Sequence, residues 1–120
     1  MTPFRLHVPL SQAQEWIRDG DLLLFRRRGL IAAFGRGEHS HAALAGWWSE
    51  TLCCLEVRGR CGGRVVTLAS QVARLPGQID VFLADPDDRW PEFDRRQTVQ
   101  NMLQFAGTTY GYRNLFRVAL

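Results

Sequence analysis

His39-Ser40-His41-Ala42-Ala43-Leu44-Ala45-Gly46, followed by Leu52-Cys53-Cys54-Leu55-Glu56-Val57, carries the strongest structural signal in the chain. Each segment is a short apolar run, and Gly46-Trp47-Trp48-Ser49-Glu50 breaks the pattern between them. That is the signature of two antiparallel strands joined as a hairpin. A register with His41 opposite Glu56 sets Ala43 against Cys54 and Ala45 against Leu52. Trp47 to Glu50 then form a four-residue connection, a common hairpin length. Opposed residues share a sheet face. The imidazole of His41 and the carboxylate of Glu56 are therefore predicted to meet in an apolar setting. A carboxylate beside a histidine orients the ring, fixes its tautomer and stabilises its protonated form, which is the base-and-orienter half of a nucleophilic triad. The bland alternative is a solvated pair on neighbouring strands. A slip of one residue would also send Glu56 to the other face.

The remaining composition narrows the class. A chain of 120 residues, 46% hydrophobic and 22% charged, fits one globular domain (1–120) with one core. All 15 basic side chains are Arg, and the net charge is +3, a mildly basic balance. Arg26-Arg27-Arg28 has no companion basic cluster and no interleaved aromatic set, so no nucleic-acid partner is expected. No glycine-rich phosphate loop is present, and no cofactor is expected. Three cysteines, two of them adjacent, suit a reduced cytoplasmic protein better than a disulfide framework. The N-terminus lacks a signal-peptide core, and no apolar run approaches membrane-spanning length.

Around the hairpin the elements fall in sequence. Ser11-Gln-Ala-Gln14 reads as a capping box opening a helix to about Arg18. Asp21 to Phe25 is a buried strand entered through a Gly20-Asp21 turn, and Leu30 to Phe34 a short helix. Arg64 to Leu68 and Gln78 to Leu83 are further strands, with a helical piece from Ala69 to Leu75 between them. Glu92 to Phe105 is the longest helix, with Val99, Met102, Leu103 and Ala106 as its apolar stripe and Gly107 as its stop. The expected class is α+β: a mostly antiparallel four- to five-stranded sheet or open barrel with flanking helices.

The order Gly20-Asp21-Leu-Leu-Leu-Phe, Ser40-His41-Ala-Ala-Leu, the Glu56 strand, then Gly107-Thr-Thr-Tyr110-Gly-Tyr112 resembles the permuted papain-like amidases. These are the circularly permuted, YiiX-like branch of the NlpC-type cysteine peptidase superfamily. The resemblance covers roughly positions 15 to 115. It implies a thiol amidase or peptidase with His41 as base and Glu56 as its orienting partner. It also implies a structural Gly20-Asp21 turn and a cleft near Tyr110 and Tyr112. A bacterial or phage source goes with it. The substrate would be a peptide, an isopeptide or a related acyl amide, and a membrane or lipid substrate is compatible with the fold group.

One departure matters. The family's nucleophilic Cys follows the tyrosine segment, and this sequence reaches Leu120 without it. Three accounts stay open: a domain incomplete at its C-terminus, a non-catalytic version that binds a peptide or partner protein, or recruitment of one of the chain's own cysteines. Cys54 shares the face of His41 in the register above and would line the cleft. Against it stands the raised pKa of a mid-strand thiol. His39, His41, Cys54 and Cys61 are zinc-type donors, but their spacing lacks the paired short gaps of structural zinc sites, and no metal is expected. Trp47-Trp48 either contacts ligand or folds back on the core. The apolar run Leu115 to Leu120 is expected to promote self-association.

Overall fold

A computed structural model describes residues 6–26, 39, 41–58 and 62–104, with the side chains of 57 and 58 excepted. The elements are α1 (Leu10–Ala13), β1 (Leu22–Phe25), β2 (His41–Trp48), β3 (Thr51–Arg58), β4 (Gly62–Thr67), α2 (Leu68–Arg74), β5 (Ile79–Phe82) and α3 (Arg95–Leu103). The strands form one open antiparallel sheet in the order β4-β3-β2-β1-β5. The protein is thus α+β, with helices flanking a five-stranded sheet. β1 to β4 run as a meander. α2 then carries the chain back across the sheet, so that β5 pairs on the outer side of β1.

Alternation along the strands gives the sheet two unlike faces. Leu23, Phe25, Ala43, Ala45, Leu52 and Cys54 are buried on the first face, in one cluster with Ile17 and with Leu68 of α2. Leu10 and Ala13 of α1 and Val72 of α2 cover it. Leu55 and Cys53 are buried on the second face. α3 lies against β2 and β3 with Val99 fully buried, while Met102 and Leu103 of the expected stripe are half-buried.

The hairpin differs from the sequence expectation. Leu44 pairs with Leu55, Ala45 with Cys54, Gly46 with Cys53, Trp47 with Leu52 and Trp48 with Thr51. The connection is therefore the two residues Ser49-Glu50, with Ser49 at φ 55°. A left-handed first residue followed by an ordinary one has the φ signs of a type II′ turn, which suits the twist of a tight hairpin. Both tryptophans belong to the strand. Trp47 donates its backbone N–H to Asp19 Oδ1 at 2.7 Å and its indole N–H to the Ile17 carbonyl at 2.8 Å. Trp48 closes over Gly46, where an added Cβ would lie 2.8 Å from Leu55 Cδ1 and 3.0 Å from the Trp48 ring. A side chain at this position would have to displace the Leu55 and Trp48 side chains.

Helix boundaries differ for local reasons. α1 starts at Leu10 with Pro9 as its N-cap and no side-chain cap, so Ser11 lies inside the helix and forms no capping box. α3 starts at Arg95, three residues after Glu92, because the Asp94 side chain accepts from Gln97 N at 3.0 Å. Likewise Thr67 accepts from Ser70 N at 3.2 Å, ending β4 and starting α2. The expected helix at 30–34, Ala106, Gly107 and the 115–120 segment lie outside the described residues. No described helix is long and apolar enough to cross a membrane.

Candidate functional site

β2 opens with His41, paired with Phe25 of β1. The two rings lie 5.2 Å apart at a 50° tilt, so Phe25 supports one side of the imidazole. His41 Nε2 is 2.6 Å from Glu56 Oε2. The β2–β3 ladder ends at Leu44–Leu55, and one more step would oppose Glu56 to Ala43, two residues from His41. The contact is therefore diagonal. Diagonal neighbours stand about 7–8 Å apart, a gap that long side chains bridge.

Glu56 is 1% exposed and its side chain wholly buried. An ionised carboxylate survives there only with donors on its oxygens. Arg64, directly opposite on β4, supplies one from Nε to Oε1 at 2.5 Å. His41 supplies another, on Oε2. An ionised carboxylate can only accept, so Nε2–H donates and the ring's lone pair sits on Nδ1. Nδ1 is thus the basic atom, in an imidazole 16% exposed. Among the described residues it makes no hydrogen bond. The site can position an imidazole with a fixed tautomer, take up a proton at Nδ1 and stabilise the resulting charge with a buried carboxylate.

Cys54 lies on the same face as His41 and Glu56, but opposite Ala45 and Val66 and fully buried in the core. It lines no cleft. Burial first, and the Glu56 charge second, push its thiol up to about 12. It is a neutral core side chain at physiological pH. Cys53 faces the other way, and burial raises its thiol as well. Cys61, Tyr110 and Tyr112 lie outside the described residues.

Asp21 is a structural centre. It is wholly buried, accepting from Arg18 N at 2.8 Å, Ala84 N at 2.9 Å and Arg95 Nη1 at 2.9 Å. Its carbonyl takes Ala45 N at 2.8 Å, and Gly20 N donates to Ala45 O at 2.9 Å. The Gly20-Asp21 turn thereby fixes β1 against β2, two strands that hold the site.

Sequence reasoning missed Arg64, which a correct β3–β4 register would have found. It also missed a second imidazole–carboxylate pair. His39 Nε2 is 2.6 Å from Asp80 Oδ2, and Arg26 Nε is 3.2 Å from the same oxygen. Asp80 is opposite Leu24 and so lies on the other face from His41. The two histidines of His39-Ser40-His41 thus serve different carboxylates.

No protein-family model, no curated protein and no solved structure matches the chain.

Proposed function

We propose that His41 and Glu56 are the base and orienting partner of a permuted papain-like thiol hydrolase that cleaves an amide, isopeptide or related acyl bond. The single observation that carries this is the 2.6 Å contact from Nε2 to a buried, Arg64-clamped carboxylate, which leaves Nδ1 as the basic atom. In the proposed reaction Nδ1 takes the thiol proton and the thiolate attacks the acyl carbon. The proton then passes to the leaving amine, and water releases the acyl-enzyme. None of Cys53, Cys54 and Cys61 is the nucleophile in this proposal. The thiol is a Cys outside these 120 residues. An activity-based thiol probe on the natural full-length gene product tests it. Labelling is expected, and His41→Ala should abolish it; labelling that survives that change refutes the assignment.

One observation favours a second reading, a binding domain of the same fold without catalysis. Cys53 and Cys54 are both buried, with raised thiol pKa values. A full-length product that shows no thiol labelling but retains peptide or partner binding sensitive to His41→Ala would select this reading.

A further inference from the structure

β5 (Ile79–Phe82) lies at one edge of the sheet, and among the described residues it pairs with β1 alone. Its inner pairing fixes which backbone groups point outward. Arg26 N donates to the Gln78 carbonyl at 2.7 Å, so residues 26 and 78 are a hydrogen-bonded pair. Such pairs alternate along an antiparallel ladder. Asp80 and Phe82, opposite Leu24 and Leu22, therefore turn their N–H and C=O groups toward β1. Ile79 and Val81 turn theirs away from the sheet, and Leu83 follows in the same phase. An open row of this kind is a template for another strand.

The side chains on this edge are those of a contact surface. Val81, Phe82 and Leu83 are consecutive and exposed, at 36%, 52% and 43%. The opposite edge, β4, exposes Val65 as its one large apolar side chain. Leu6 and Trp16, also exposed, line the hollow beside Val81 to Leu83 and extend the apolar patch.

The order of residues 79–83 selects a second copy of the same segment. Two copies running antiparallel about a twofold axis at Val81 oppose Val81 to Val81 and Ile79 to Leu83. Every outward N–H then meets an outward C=O. The first face gains an unbroken apolar row, and on the second face Asp80 meets Phe82 of the second copy. An axis at Asp80 would oppose two like charges, which is destabilising. An axis at Phe82 would set Ile79 against Asp85, whose backbone is left-handed at φ 50°. One segment thus supplies both halves of a self-complementary contact.

We propose that β5 pairs with β5 of a second copy across a twofold axis at Val81, joining two five-stranded sheets into one. The contact engages neither His41 nor Glu56, so it is independent of the hydrolase reading. Pairing confined to residues 79–83 is short, which places the dimer among the weaker, exchanging interfaces.

Sedimentation velocity of the full chain over a concentration series should show monomer and dimer in exchange. Val81→Lys sets two ammonium groups at the axis and should weaken the dimer by about tenfold. Circular dichroism checks that this exposed position leaves the fold intact. Val81→Cys, which keeps the site small and uncharged, localises the contact without relying on the Lys variant. It brings two thiols within disulfide reach at the axis and should cross-link two chains on mild oxidation. Val65→Cys, similarly exposed on β4, should cross-link no more than the unmutated chain. A chain that stays monomeric throughout overturns the proposal and would leave the edge to a strand from a different protein. A dimer that Val81→Lys does not weaken, or that Val81→Cys does not link, also overturns it and would place self-association on another surface.

Discussion

Glu56 cannot be removed from water without compensation, because an unpaired buried carboxylate costs several kcal/mol. Its two oxygens are met by His41 and Arg64. Glu56→Gln keeps the shape and one acceptor but leaves Arg64 without its counter-charge. Arg64 is 31% exposed and solvent offsets part of that loss, so the expected destabilisation is about 2 kcal/mol, not the full buried-pair value. Urea denaturation would measure it. Arg64→Met in the Glu56→Gln background should then cost less than Arg64→Met alone, by about 1 kcal/mol, because the interaction is already broken. Strict additivity would mean that the two charges do not couple. The same residues show why part of the site could be seen in advance. His41 and Glu56 were legible because strand parity alone decides whether they share a face. Arg64 was not, because Gly59-Arg-Cys-Gly-Gly63 announces a turn without fixing its length, and the β3–β4 register depends on that length.

The elements depend on a few polar fasteners. The hairpin register lies two residues from the one expected from sequence. The loop is Ser49-Glu50, with no glycine at the left-handed position to advertise it. A slip of two preserves parity, so the face assignment held while the opposed pairs did not. Ser49→Gly should relieve the left-handed backbone and raise stability by about 0.5–1 kcal/mol, read from the denaturation midpoint. A loss of stability would show that the Ser49 side chain contributes more than its backbone costs. Arg95 is the larger fastener. Its Nη1 reaches Asp21 Oδ1 at 2.9 Å and Asp19 O at 3.0 Å, and its Nη2 reaches the Ala84 and Asp85 carbonyls. One planar fork thus ties α3 to the turn before β1 and to the chain after β5. Arg95→Met should cost about 3 kcal/mol, since Asp21 would stay buried without its cation. Arg95→Lys should recover less than half, because an ammonium cannot reproduce the fork; full rescue by Lys would show that charge alone is what Asp21 needs.

At the scale of the whole molecule, the five strands bury Cys53 and Cys54 on opposite faces, so the sheet is closed to solvent on both sides at this point. That makes the alkaline limb of stability a readout of core integrity. The Cys54 thiol has an ordinary pKa of 9.0 in the unfolded chain and is pushed up to about 12 in the fold. Between those values the unfolded chain releases a proton that the native state keeps. Unfolding is then favoured as pH rises, and the linkage slope is negative. The stabilisation is fully present below pH 9 and is lost progressively toward pH 12. Cys54→Ala removes a few packed atoms and should be less stable than the unmutated protein at pH 7, by about 1 kcal/mol. Lacking the thiol, it escapes the alkaline loss, so the stability gap should narrow as pH rises from 9. Equilibrium denaturation of both proteins across that window isolates the effect, because Cys53 and every other alkaline group titrates in both. A gap that stays constant from pH 8 to 11 would mean that water reaches Cys54 in solution, and that the face shared with His41 is open where the fold has it sealed.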